Sequence, residues 1–213
     1  VSLAFSLTSF FLQFVTAISV VLFPSIKRME LSKLPEMYCK IRQGISPLLF
    51  SALLLYYPGS ALLQLWLPKY TSSLQYLGIL MPSIVYTSKV SLLTNNFLKA
   101  YQKERIMLYI NVICVAFGLV LFILGAWGLN SLPIILLFVV AVMILRSVIS
   151  EIAVMHIINI DIRKELCVEI VLTGVFIACV SLLPRWWGAV LYMAALTGYL
   201  HFKHKETLKI THM

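Results

Sequence analysis

Apolar residues fall into seven long runs separated by short polar connections: 1–24, 45–67, 73–98, 106–128, 131–156, 166–184 and 186–202. Each approaches or exceeds the ~20 residues that a helix rising ~1.5 Å per residue needs to cross the hydrocarbon core of a bilayer. The last is the shortest. The pattern predicts an all-α fold, a polytopic membrane helix bundle of seven transmembrane helices. Composition agrees, with 61% of the 213 residues hydrophobic and 12% charged, against roughly half and a quarter in soluble domains.

Polar positions inside the runs carry the next layer. The first run is broken by Ser6, Thr8, Ser9, Gln13, Thr16 and Ser19 before Pro24. Small hydroxyl residues allow close helix approach in lipid, and mid-span Gln13 either bonds a neighbouring helix or faces a cavity. The connection 25–44 spaces Met29, Leu31, Leu34, Met37 and Ile41 among charges. It predicts a short amphipathic helix on the membrane surface, interrupted near Pro35. Pro58-Gly59 predicts a kink in the run 45–67, after which Trp66 and Tyr70 sit where an aromatic belt belongs. Residues 125–130 form an uncharged turn. The runs 166–184 and 186–202 form a hairpin closed at Pro184-Arg185-Trp186-Trp187, whose interior holds no ionisable group beyond Glu169 near its start. This pair reads as peripheral.

The formal net charge of +9 would suit nucleic acid, but its placement argues for membrane instead. Lys27, Arg28, Lys33, Lys40 and Arg42 fall in the first connection, Lys99, Lys103 and Arg105 in the third, Arg163 and Lys164 in the fifth, and Lys203, Lys205 and Lys209 in the tail. The alternate connections hold only Lys69 and Arg185. Thirteen basic residues against two, alternating along the chain, is the positive-inside pattern. It predicts residue 1 outside, seven crossings and a cytoplasmic C-terminus, with anionic membrane lipids as partners of the cations. The chain opens with Val1 inside an apolar run, without signal-peptide features, and reads as the C-terminal piece of a longer protein. Cys39, Cys114, Cys167 and Cys179 have neither metal spacing nor the pattern of a disulfide framework.

The stretch 74–105 is the most informative. It carries Lys89 within its apolar part, then Thr94-Asn95-Asn96, then Lys99, Lys103, Glu104 and Arg105. Polar groups inside hydrocarbon destabilise by several kcal/mol unless they face protein or water, so they mark a pathway or a packed interior. Lys89 lies about 24 Å from the outer end of its run at ~1.5 Å per residue, and Arg146 lies at similar depth in its own. Two cations at matched depth suit a pyrophosphate, the arginine through bidentate bonds and the lysine as a point charge. The alternative is that both long stems snorkel to the cytoplasmic surface. Asn95 and Asn96 line a cavity mouth or bind neighbouring backbone, Glu151 sits at the interface, and the four histidines fall at run ends or in the tail.

FVTAISVVLFPSIKRM, LLQLWLPKYTSSLQYLGILMP, TNNFLKAYQKER and NVICVAFGLVLFILGAWGLNS, in that order, resemble the second half of the multidrug/oligosaccharidyl-lipid/polysaccharide exporter superfamily. The similarity is greatest to its polysaccharide flippases of the O-antigen, teichoic-acid or capsule type. Pro68 stands where that family usually has glycine. The resemblance covers about 1–156, a partial C-terminal-lobe bundle, and leaves 157–213 as an extra helix hairpin with a cytoplasmic tail. It implies the C-terminal lobe of a 14-helix inverted-V transporter in a bacterial inner membrane. That transporter would flip a polyprenyl-pyrophosphate-linked oligosaccharide outward, with a missing N-terminal lobe as partner. Cavity candidates are then Lys89, Arg146, Asn95, Asn96 and Gln13, with no cofactor.

Other classes fit less well. A prenyltransferase needs aspartate-rich diphosphate motifs, and the only aspartate is Asp161. A polymerase would be expected to carry a long external loop. A zinc enzyme needs clustered ligands. A cation-coupled multidrug exporter of the same superfamily is the main competitor and would favour acidic groups at depth. A non-transporting membrane subunit is the third alternative.

Overall fold

The computed structural model describes residues 2–28, 30, 32–66, 71–128 and 132–211, and every element among them is helical. In chain order these are α1 (Ser2–Lys27), α2 (Leu34–Ala52), a 3-10 turn (Leu53–Leu55), α3 (Tyr56–Trp66), α4 (Thr71–Lys89), a π-helical turn (Val90–Thr94) and α5 (Asn95–Ala100). Then follow α6 (Glu104–Gly128), α7 (Leu132–Ile158), α8 (Arg163–Leu182) and α9 (Arg185–Thr211). Among the described residues five helices are long and apolar enough to cross a membrane: Leu34–Trp66, Tyr76–Ala100, Glu104–Gly125, Pro133–Ile158 and Arg163–Leu182.

The largest departure from the sequence pattern concerns 25–44. Among the described residues no separate surface helix lies there before a span. Residues from Leu34 onward belong to α2, which runs straight into the apolar segment. Pro35 falls in the first turn of α2, where the missing N–H removes no intrahelical bond, so it starts the helix rather than interrupting it. Pro24 is similarly inside α1, which runs on to Lys27. The irregularity anticipated at Pro58 is displaced upstream. A proline ring presses on the carbonyl four residues before it, here Leu54, and Leu53–Leu55 tighten into the 3-10 turn.

Two helix ends close with a residue at positive φ: Gln102 (55°) after α5 and Asn159 (57°) after α7. Each is the left-handed residue of a Schellman closure. Lys103 N–H donates to Leu98 O at 2.9 Å and Gln102 N–H to Lys99 O at 3.0 Å, and Ile160 N–H donates to Met155 O at 3.3 Å. The residues 67–70 and 129–131, with Tyr70 of the aromatic belt and the end of the 125–130 turn, lie outside the described residues.

Helix α6 packs on α7 and otherwise exposes apolar side chains, among them Leu108, Val112, Val115, Leu119 and Phe122. A helix apolar all round with one packed side is suited to lipid contact. The α8–α9 hairpin is not peripheral. Helix α8 packs on α4 and α9 on α2 and α3, and Phe176 and Tyr192 are fully buried. Phe176 meets Tyr192 at a 5.0 Å centroid separation and lies edge-on to Tyr56 and Tyr57.

The contact between α4 and its neighbours is tight at Gly78. A Cβ there would stand 2.5 Å from Val180 and 2.7 Å from the Tyr56 ring, which is itself tied by its hydroxyl to Leu74 O at 3.1 Å. Gly78→Leu is expected to lower thermal stability in detergent, by about 1–3 kcal/mol for such overpacking. Gly118→Ala, where Val142 stands at 3.6 Å, should leave it unchanged.

Candidate functional site

Two apolar cores fill the bundle, and four of its helices pass through both. On α2, Leu34 and Tyr38 enter one core and Leu49 and Phe50 the other; on α4 and its continuation, Leu93 and Phe97 enter the first and Leu80 and Val85 the second. On α7 the corresponding residues are Val154 and Ile158 against Leu136 and Val140. On α8 and its N-cap they are Ile162 and Leu166 against Leu172 and Phe176. Between the cores, the four helices bring together four fully buried charged residues: Arg42, Lys89, Glu151 and Glu169. Their exposures are 2%, 1%, 1% and 1%.

These four side chains form a closed ionic cluster. Lys89 Nζ donates to Glu151 Oε1 at 2.5 Å and pairs with Glu169 Oε2. Arg42 spreads its guanidinium over three acids: Nε to Glu151 Oε2 at 3.0 Å, Nη2 to Glu169 Oε1 at 3.4 Å, and Nη1 paired with Glu165. Every oxygen of the Glu151 and Glu169 carboxylates therefore accepts from a cation. Ser147 adds a hydroxyl to Glu151 at 3.3 Å and Tyr199 adds one to Glu169 at 3.4 Å. Lys203 of α9 is buried beside them, donating to Arg42 O at 3.2 Å. Three basic side chains, Arg42, Lys89 and Lys203, thus gather with three acidic ones, Glu151, Glu165 and Glu169. Isolated charges in such surroundings are unstable, and complete pairing with hydrogen bonds is what permits them.

Around this cluster Tyr86 hydroxyl meets Thr173 Oγ1 at 2.7 Å, and Thr173 donates to Glu169 O at 2.9 Å. Immediately after Lys89 the chain makes the π-helical turn, in which Asn95 N–H reaches back to Val90 O. The wide turn carries extra residues, and such turns often sit at functional positions. Before it Lys89 faces α7 and α8. After it Asn96 faces α1, giving its amide to Ser19 O at 3.4 Å, Ser19 Oγ at 3.1 Å and Leu92 O at 3.1 Å.

The five residues singled out from sequence are not brought together. Lys89 lies in the cluster with its charge neutralised, so it is not the unpaired cation its depth suggested. Asn96 bonds α1 and its own helix backbone, Asn95 is half-buried, and Gln13 is exposed on α1. Arg146 is half-buried on α7. It makes no ion pair among the described residues, and its Nε is buried without an acceptor among them.

Sequence reasoning missed Arg42, Glu151, Glu169 and Lys203 as interior groups. In the sequence pattern Arg42 and Lys203 read as surface cations and Glu151 as an interfacial acid. A signal for Arg42 was present: Leu34, Tyr38, Arg42 and Ser46 recur every fourth residue and share one face of a helix, all four of them buried. Among the described residues no group of three or more His, Cys, Asp or Glu is arranged to hold a metal ion. No protein-family model, curated protein or solved structure matches this chain.

Proposed function

We propose that the chain is one lobe of a transporter that flips a polyprenyl-pyrophosphate-linked oligosaccharide across a bacterial cell membrane. In this reading the lobe crosses seven times within a 14-helix architecture, with its C-terminus in the cytoplasm. The observation that carries the reading is Arg146, a guanidinium within a membrane-length helix that has no carboxylate partner among the described residues. An intramembrane cation without an internal counter-ion favours an anionic ligand, and the arginine fork fits phosphate oxygens. The substrate class itself rests on the sequence resemblance. The ionic cluster has a separate, mechanical role, tying α2, α4, α7 and α8 into one body that can move as a unit.

A second reading has an observation of its own. Cation-coupled export favours acidic groups at depth, and Glu151 and Glu169 are such groups. The two readings part in the full-length transporter reconstituted in liposomes, offered either a lipid-linked glycan or a cationic dye. The flippase reading expects glycan translocation that Arg146→Gln abolishes, with normal protein levels and partial recovery in Arg146→Lys, which keeps the charge but not the fork. Dye export that depends on Glu151 or Glu169, without glycan translocation, establishes the alternative.

A further inference from the structure

A second basic residue lies at the opposite end of the bundle from the cluster. Arg185 opens α9, just past the α8–α9 turn. Among the described residues it enters no ion pair. The nearest acid before it in the chain is Glu169, about 24 Å back along α8 at ~1.5 Å per residue. Along the chain no acidic residue falls between Glu36 and Glu104, which brackets α3, or between Glu169 and Arg185.

Arg185 stands where two cavities meet. One, of about 610 Å³, is an apolar groove between α3 and α9 with Tyr57, Leu62, Leu65, Trp186 and Met193 in its walls. The other, of about 500 Å³, is lined by Ala61, Gln64, Leu65 and Arg185. The pair therefore offers an apolar channel that ends at a cation and an amide. Trp66, Trp186 and Trp187, all exposed at this end, are the residue type that settles at the headgroup level.

We propose that this groove binds an anionic phospholipid, its acyl chain along α3 and α9 and its phosphate on Arg185 and Gln64. Charge complementarity selects this occupant: among the described residues the lining of the two cavities holds a cation and no acid, so the counter-ion comes from outside it. Arginine and a phosphate diester form paired N–H···O bonds, and the groove supplies the apolar surface for the chain. The site does not depend on what the lobe transports, and it is distinct from contacts between headgroups and the basic connections at the other end.

Tryptophan quenching tests it. Trp66→Phe, Trp127→Phe and Trp187→Phe leave Trp186 as the reporter in the full chain, reconstituted in phosphatidylcholine vesicles. Brominated phosphatidylglycerol is expected to quench with roughly fivefold preference over brominated phosphatidylcholine. The preference should fall to parity in Arg185→Gln and persist in Arg185→Lys. Inorganic phosphate should leave it unchanged; loss of the preference on adding phosphate would mean a free-anion site instead. Should the triple variant fail to fold, native mass spectrometry of the parent and Arg185→Gln, counting retained phosphatidylglycerol, reads the same difference. Equal affinity for the two lipids, or a preference that survives Arg185→Gln, overturns the assignment.

Discussion

Lys89→Met is expected to lower the unfolding free energy in mild detergent by about 3–5 kcal/mol, the range found when one partner of a buried ion pair is removed. Methionine matches the length of the lysine stem, so the packed volume is nearly kept and the loss is one of charge. Without the ammonium, Glu151 and Glu169 face each other in a site almost closed to solvent, and two cations remain for three acids. Adding Glu169→Gln restores the balance and should recover part of the loss, so the two substitutions should not be additive. Equal melting of Lys89→Met and the parent would show that the ammonium does not hold these helices together.

Arg42→Lys carries the second large effect, and its interest is that the charge is retained. The guanidinium serves three acids at once because its donors are fixed in a plane. A lysine at the same place has one nitrogen at the end of a flexible stem and reaches only part of that set. Each charged hydrogen bond lost removes about 1.5–3 kcal/mol. Arg42→Lys should therefore melt well below the parent, and Arg42→Leu, which also removes the charge, lower still. Parent-like melting of Arg42→Lys would mean that charge alone, without the fork, suffices.

The contrast between what was legible and what was not has a physical cause. Runs of apolar residues are local, and they located the membrane-length helices α2–α3, α4–α5, α6, α7 and α8 from sequence. The depth of Lys89 in its run was equally visible. Partners were not, because Lys89 and Arg42 meet acids from helices distant in the chain, with 80 residues separating Lys89 from Glu169. Nothing in the spacing of Glu151 or Glu169 distinguishes an interfacial carboxylate from a buried one.

Arg42 illustrates a different failure. The connection 25–44 reads as interrupted near Pro35, so the charge of Arg42 reads as part of a connection. In the structure Pro35 and Arg42 lie within one helix, and the fourfold recurrence of Leu34, Tyr38, Arg42 and Ser46 is the signal that matters. For Asn96 the sequence left two alternatives, and the bonds to Ser19 and Leu92 support the backbone-binding one.

The most direct test of the proposed function is the affinity of the full-length protein for a polyprenyl-pyrophosphate oligosaccharide, measured for the parent, Arg146→Gln and Arg146→Lys beside their melting temperatures. A charge-assisted phosphate contact of about 1.5–3 kcal/mol corresponds to a roughly ten- to hundredfold change in Kd. The account predicts that loss in Arg146→Gln with an unchanged melting temperature and partial recovery in Arg146→Lys. Parent-like affinity in Arg146→Gln would contradict it.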